Sequence, residues 1–255
     1  MTNTHVSSTE PQAATPEQTR LDLLGGQHRL GPPIRRTFLQ ELGGARRPGP
    51  LHNFVNDRRY FALQLYLLLH SLPLKAPWDA YLPAAVWARA LDKTKPGAEA
   101  TVSRNWQYLR DLQLIRTRRD RRLTRAYLLN ENGSGAEYKR SKQYFRLPLA
   151  YFLNDWYDKL SLPGTVALLI ALDRSRTKEW FELPKERAAG WFGISADTLQ
   201  RGLDELRVNG LIEVKQRPVT NARARFGWTP MNYYRLLDDF SRSGIERPSS
   251  DEDSE

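Results

Sequence analysis

Ser195–Ile212 reads SADTLQRGLDELRVNGLI. Leu199, Leu203 and Leu206 recur at helical spacing on one face, and Gly202 beside them is a patch without a side chain where another helix can approach. Ser195 stands where an N-cap hydroxyl holds the first free amides, Asp197 suits the positive end of the helix dipole, and Gly210 follows as a C-terminal stop. The stretch predicts a helix over 196–209. Just before it, Pro184–Phe192 (PKERAAGWF) reads as a second helix opened by proline, with only Gly193 and Ile194 between the two. Two amphipathic helices joined by so short a turn form a helix-turn-helix signature. Ile212–Arg217 then alternates like a strand, and a Gly/Asn/Pro-containing loop leads to a second strand near Asn232–Leu237.

Further out, the same pattern occurs twice. Tyr60–Leu72 (YFALQLYLLLHSL) is nearly all apolar and long enough for a buried helix, and Thr165–Leu172 (TVALLIAL) matches it about a hundred residues later. WDAYL (Trp78–Leu82) and Pro83 with PAAVWARAL follow the first; WFEL (Trp180–Leu183) and Pro184 follow the second. Thr101, Val102, Ser103 and Arg104 stand where Thr198, Leu199, Gln200 and Arg201 stand, and Leu109, Leu114 and Ile115 match Leu206, Leu211 and Ile212. The copies differ by four residues, because the first turn is lengthened to DKTKPGAEA, Asp92–Ala100. Helix, short strand, helix, turn, helix and hairpin, twice over, resemble the winged-helix domains of bacterial DNA-binding regulators and the tandem winged-helix initiators of plasmid replication. The resemblance covers Tyr60–Leu237, rests on architecture, and implies a mainly α fold with small β-hairpin wings (α+β) whose partner is double-stranded DNA.

The expected organisation has six parts. Residues 1–28 form a disordered tail, Ser/Thr/Pro/Gln-rich through Arg20, and 29–55 a basic arm with a short helix over Pro32–Leu42. Residues 56–140 form the first winged-helix domain, 141–162 a connecting strand and amphipathic helix (YFRLPLAYFLNDWYDKL from Tyr144), 163–240 the second domain, and 241–255 an acidic disordered tail. In the arm, Arg35, Arg36, Arg46, Arg47, Arg58 and Arg59 bracket a Gly/Pro segment; they either lie along phosphates or sit in a solvated linker. Tyr151, Phe152, Trp156 and Tyr157 of the connecting helix read as core or interface aromatics.

The net charge of the 255 residues is +10, and because both tails are acidic the middle carries about +14, which favours a polyanionic partner. With no cysteine, disulfides and cysteine-ligated zinc are excluded, and the four histidines share no ligand spacing. Val166–Leu172, the longest apolar run, falls far short of the ~18 residues of a membrane span, and no signal-peptide pattern opens the chain. A cytoplasmic, nucleoid-associated protein without a membrane, metal, cofactor or evident small-molecule ligand is expected. No phosphate loop and no nucleophile–base pair is recognisable, so no catalytic residue and no enzymatic activity is expected either.

The DNA-reading residues follow from helix geometry, since the N-terminal half of the second helix of such a motif enters the major groove. In the second copy Arg201 is the candidate for guanine, Gln200 for adenine or phosphate, and Ser195 and Thr198 for phosphate, while Asp204 and Glu205 farther along the same side repel a backbone. In the first copy Val102, Trp106 and Leu109 turn inward and expose Ser103, Arg104, Gln107 and Arg110, with Thr101 at the start. Thr-Val-Ser-Arg is similar to the opening of recognition helices in bacterial regulators, which implies DNA contact by the hydroxyls and the arginine. The first hairpin, RTRRDRRLTR from Arg116, supplies Arg118, Arg119, Arg121 and Arg122 for phosphates; the second, Pro218–Trp228, supplies Arg223 and Arg225 and is expected to be mobile until bound.

Three functions stay open: a sequence-specific transcriptional regulator, a plasmid or phage replication initiator binding origin repeats, and a winged-helix protein-interaction module of a chromosome-associated complex. The arginine-filled hairpin argues against the third. A homodimer through either module is an open alternative.

Overall fold

The structure, a computed structural model, describes residues 13–25, 30–41, 43, 47–72, 74–121, 123–183 and 185–241. Over these residues the chain is α+β, with small antiparallel sheets. The expected acidic tail lies outside them beyond Ser241, as do Met1–Gln12, Arg46, Arg122 and Pro184.

The tail expected to be disordered to residue 28 contains a docked helix, α1 (Pro16–Leu24). Thr15 Oγ1 accepts the Gln18 amide at 3.1 Å and Gln18 Oε1 accepts the Thr15 amide at 2.9 Å, so the two first-turn donors are satisfied reciprocally, with Pro16 pre-set for the first turn. Arg20 then holds the helix down. Its buried guanidinium donates to Asp92 (3.0 Å), Asp155 (2.5 Å) and the Tyr157 hydroxyl (2.6 Å).

The arm differs from expectation too. The helix expected over Pro32–Leu42 is replaced by a strand, β1 (Pro33–Arg35), paired antiparallel with Tyr144–Arg146, and a 3-10 turn over Arg36–Phe38. The arginines decide this, because their partners lie elsewhere in the fold. Arg35 bonds Glu131 with both its amide and its Nε at 3.1 Å, and Arg36 binds Asp173 through Nε at 2.6 Å and Nη2 at 3.2 Å. α2 (Leu51–Asn56) then buries Leu51 and Phe54.

The first repeat unit is α3 (Tyr60–Ser71), β2 (Asp79–Tyr81), α4 (Ala84–Ala90), α5 (Ala98–Asp111), β3 (Ile115–Asp120) and β4 (Leu123–Leu128), with sheet order β2-β4-β3. The connection is β5 (Tyr144–Arg146) and two short helices, α6 (Ala150–Leu153) and α7 (Trp156–Lys159), in place of the single helix expected; Asp155, at φ 59°, breaks the run. Tyr151, Phe152 and Tyr157 are buried there. The second unit is α8 (Leu162–Arg174), β6 (Phe181–Glu182), a 3-10 turn over Lys185–Arg187 leading into α9 (Ala188–Phe192), α10 (Ala196–Val208), β7 (Ile212–Thr220) and β8 (Trp228–Leu236), with sheet order β6-β8-β7. Each sheet places the last strand of its unit in the middle, so the two units share one element order and one pairing order.

α10 crosses α8 at Gly202, where a Cβ would lie 2.2 Å from the Pro163 carbonyl oxygen and 2.7 Å from the Ala167 Cβ. The bare patch inferred from the sequence is therefore the helix–helix contact. The second hairpin is longer than expected: pairing runs to Thr220↔Trp228, through Pro218↔Pro230. Both prolines are tolerated because β7 is an edge strand and β6, with two residues, does not extend that far along β8.

The units share one core. α3 and α8 are buried along nearly their whole lengths, and between them the Tyr60 hydroxyl donates to the Tyr157 carbonyl (2.7 Å) while Gln64, Tyr151 and Thr165 close a buried hydrogen-bonded cluster. The relative placement of the two hairpins is thus set by packing.

His70, on α3, is buried, and burial pushes its imidazole down from 6.5 to about 3. The folded chain stays unprotonated where the unfolded chain takes a proton, so below pH 6.5 stability falls by about 1.4 kcal/mol per pH unit until the folded value is reached. Burial moves Glu131 the opposite way, raising its carboxyl. Subtracting a His70→Phe profile isolates the histidine: the difference between denaturant-unfolding curves at pH 6.5 and 4.5 should correspond to one proton, and parallel profiles would contradict it.

Candidate nucleic-acid interface

On α5, Val102, Trp106 and Leu109 are buried, which leaves Ser103, Arg104 and Gln107 exposed and Thr101 and Arg110 half-buried. Arg104, Gln107 and Arg110 follow one another at three-residue spacing along one face. Arg104 donates to Thr101 Oγ1 at 3.0 Å, Arg110 bonds Gln107, and Arg110 Nη1 reaches Thr117 Oγ1 on β3 at 2.7 Å. This last bond joins the outward face of the helix to the arginine hairpin, with Arg118 the next residue. Ser103 spends its hydroxyl proton on the Glu99 carbonyl (3.0 Å).

In the hairpin Arg118, Arg119 and Arg121 are exposed, and among the described residues none has a carboxylate partner within salt-bridge distance. Asp120 pairs with Leu123, so the turn is two residues long, and Arg121 occupies it at φ 52°. An arginine in the left-handed region is less stable there than glycine or asparagine by about 1 kcal/mol, so this position holds a guanidinium at the expense of the turn. Arg116 and Arg125 are otherwise occupied: Arg116 lies over Tyr127 at 4.7 Å, and Arg125 pairs with Asp79 at 2.9 Å.

Two cations escaped the sequence reading. Lys93 and Lys95, in the lengthened turn, line a cavity of about 470 Å³ together with Gly97, Thr101 and Arg104 at the start of α5. The turn's extra length was legible; that it brings both lysines beside Arg104 depends on its folded path.

The second unit presents a more self-paired surface. Arg201 Nε binds Asp197 at 3.1 Å and its Nη2 donates to Thr198 at 3.3 Å. Gln200 accepts from Lys185 and donates to Asp204 at 2.9 Å, while Ser195 caps α10 by accepting the Thr198 amide at 3.1 Å. Glu205 departs from expectation. Rather than lying on the outward side, its carboxylate takes the Ser161 amide at 2.6 Å and its hydroxyl, at the positive end of α8. Arg223 and Arg225 are exposed in the loop over 221–227, beside Phe226, which is 74% exposed.

The described residues contain no group of three His, Asp or Glu side chains fit to hold a metal ion, and no helix among them is long and apolar enough to cross a membrane. No protein-family model matches this sequence, and neither does any curated protein.

Proposed function

We propose that the chain is a tandem winged-helix protein that binds double-stranded DNA in a sequence-specific way as a transcriptional regulator. On this reading it is a binding protein without catalysis. The observation that carries the proposal is the strip formed by Arg104, Gln107, Arg110, Arg118, Arg119 and Arg121: its arginines at 104, 118, 119 and 121 have no carboxylate partner among the described residues, and they lie on a helix and a hairpin joined by the Arg110–Thr117 bond. Such spacing suits a helix tip in a major groove with flanking phosphates gripped alongside. So much positive charge in one hairpin suits a polyanion, which argues against a protein-interaction module.

The first unit leads in this reading, because Arg201 must release Asp197 before it can meet a base edge. Arg104→Ala is expected to cost about 1–3 kcal/mol of discrimination at one base pair, and Arg201→Ala distinctly less. The check is selection of bound fragments from genomic and random DNA with wild type and each variant. Identical sequence preferences in wild type and Arg104→Ala would remove the α5 arginine from base reading.

The shared core favours a second reading, a plasmid or phage replication initiator, since two units held in fixed relation suit one contiguous origin site. Recovery of clustered direct repeats selects that reading; recovery of a palindrome over a promoter selects the regulator.

A further inference from the structure

Beyond Glu182, where β6 ends against Tyr233, the second hairpin continues as two strands alone, from Gln216↔Asn232 to Thr220↔Trp228. Arg217 on one face and Pro218, Trp228 and Pro230 on the other are exposed, so this part stands clear of the core on both sides. The loop over 221–227 is nevertheless closed. The Asn221 amide donates to the Gly227 carbonyl at 2.8 Å, the Ala224 amide to the Asn221 carbonyl at 2.9 Å, and the Gly227 amide to the Ala224 carbonyl at 2.9 Å. Gly227, at φ 72°, makes the return into β8. The backbone of the tip is therefore formed before any partner arrives.

That tip displays two rings, Phe226 at 74% exposure and Trp228 at 49%. The remaining exposed aromatic among the described residues, Tyr81, has Arg125 over its face and bonds the Asp120 carbonyl. Apolar rings held this far into water, side by side, mark a contact surface. The charge around them gives its chemistry. No Asp or Glu occurs from Val214 to Leu237, a stretch that contains Arg217, Arg223 and Arg225. Lys215 and Arg235 of the same hairpin are held by Glu213, whereas Arg223 and Arg225 have no carboxylate partner among the described residues. Arginines with bare rings between them fit a polyanion that also offers flat apolar faces, which is nucleic acid at an opened base step.

We propose that Phe226 enters a base step of duplex DNA from the minor groove as a wedge, with Trp228 packed behind it and Arg223 and Arg225 on the phosphates beside the step. The inference rests on the reading that the chain binds duplex DNA. A ring at the apex of a hairpin, with arginines one and three residues before it, is placed for insertion; a platform for a single strand needs rings spaced along a continuous face. Pyrimidine–purine steps unstack most readily, so the second hairpin selects sequence by deformability, at positions that no side chain reads by hydrogen bonding. This gives the second unit a role that its self-paired α10 does not supply.

The test titrates the full chain into a short mixed-sequence duplex carrying 2-aminopurine at several TA steps, whose fluorescence rises on unstacking, with the affinity for the same duplex and for one of its strands measured alongside. The wild type is expected to raise the fluorescence several-fold at saturation. Phe226→Ala, a change in an exposed side chain, should abolish the rise while weakening binding by no more than about tenfold, because the cations remain. Phe226→Leu keeps an apolar wedge and should retain most of the rise. Arg223→Ala with Arg225→Ala should weaken binding and flatten its salt dependence, yet the saturated complex should still unstack the step. Duplex binding with no rise, or a rise that Phe226→Ala leaves unchanged, overturns the wedge and leaves duplex binding standing. Tighter binding of the single strand, lost in Phe226→Ala, overturns it in favour of a hairpin that holds unpaired bases. No binding to the duplex ends the duplex-binding reading and the wedge with it.

Discussion

Arg36→Ala is expected to lower the free energy of unfolding by about 3–5 kcal/mol, because it leaves a buried carboxylate without its counter-charge. The Asp173 side chain is 1% exposed, whereas Arg36 is 23% exposed, so the carboxylate is the partner that cannot turn to water. Arg176, 3.8 Å from the same oxygen, offers partial relief and places the loss toward the lower end. For a chain of this size each kcal/mol moves Tm by roughly 2–4 °C. Replacing both partners, Arg36→Met with Asp173→Leu, should recover most of the loss, since a well-packed apolar pair avoids the desolvation of both charges. Chemical denaturation of the two single variants and the double variant measures the coupling. A loss below about 1 kcal/mol for Arg36→Ala, the range of an exposed pair, would show that the arm is not clamped there.

Replacing Arg118, Arg119 and Arg121 by alanine is expected to weaken binding to every DNA sequence alike. Each phosphate contact adds a slope of about 0.9 to the fall of log K with log salt, so three contacts are worth on the order of a few hundredfold near 0.1 M and the slope should flatten by nearly three. Arg121→Gly separates charge from turn strain: it should weaken DNA binding while stabilising the hairpin, because φ 52° suits glycine. Affinity measured across a salt series decides the matter. An unchanged slope would remove the first hairpin from the interface. The contrast with Arg104→Ala is informative, since a base-reading group changes preference and a phosphate-gripping group changes affinity.

The parts of the fold that were legible are those whose cause is local. The α10 leucines, the Ser195 cap and Gly202 announce a helix and the bare patch where another helix can approach within a dozen residues, and the parallel features of the two halves announce the repeat. α1 was also legible: Thr15-Pro16-Glu17-Gln18 is a capping box with proline in the first turn, yet the surrounding Ser/Thr/Pro composition masked it. Pro218 ended the second hairpin too early in the reading, because a proline breaks a central strand but is accommodated at an edge.

By itself, then, the sequence determined the repeated order of helices and hairpins, the inward faces of α5 and α10, and the concentration of arginine in one hairpin, because hydrophobic period, caps and turn residues act over a few positions. Only the tertiary structure decided which arginines are available to a partner. Arg20, Arg35 and Arg36 meet their carboxylates across 72 to 137 residues of chain, while Arg104, Arg118, Arg119 and Arg121 meet none among the described residues. A guanidinium is the same group in either setting, and whether it faces a buried acid or open water depends on which distant segment folds against it.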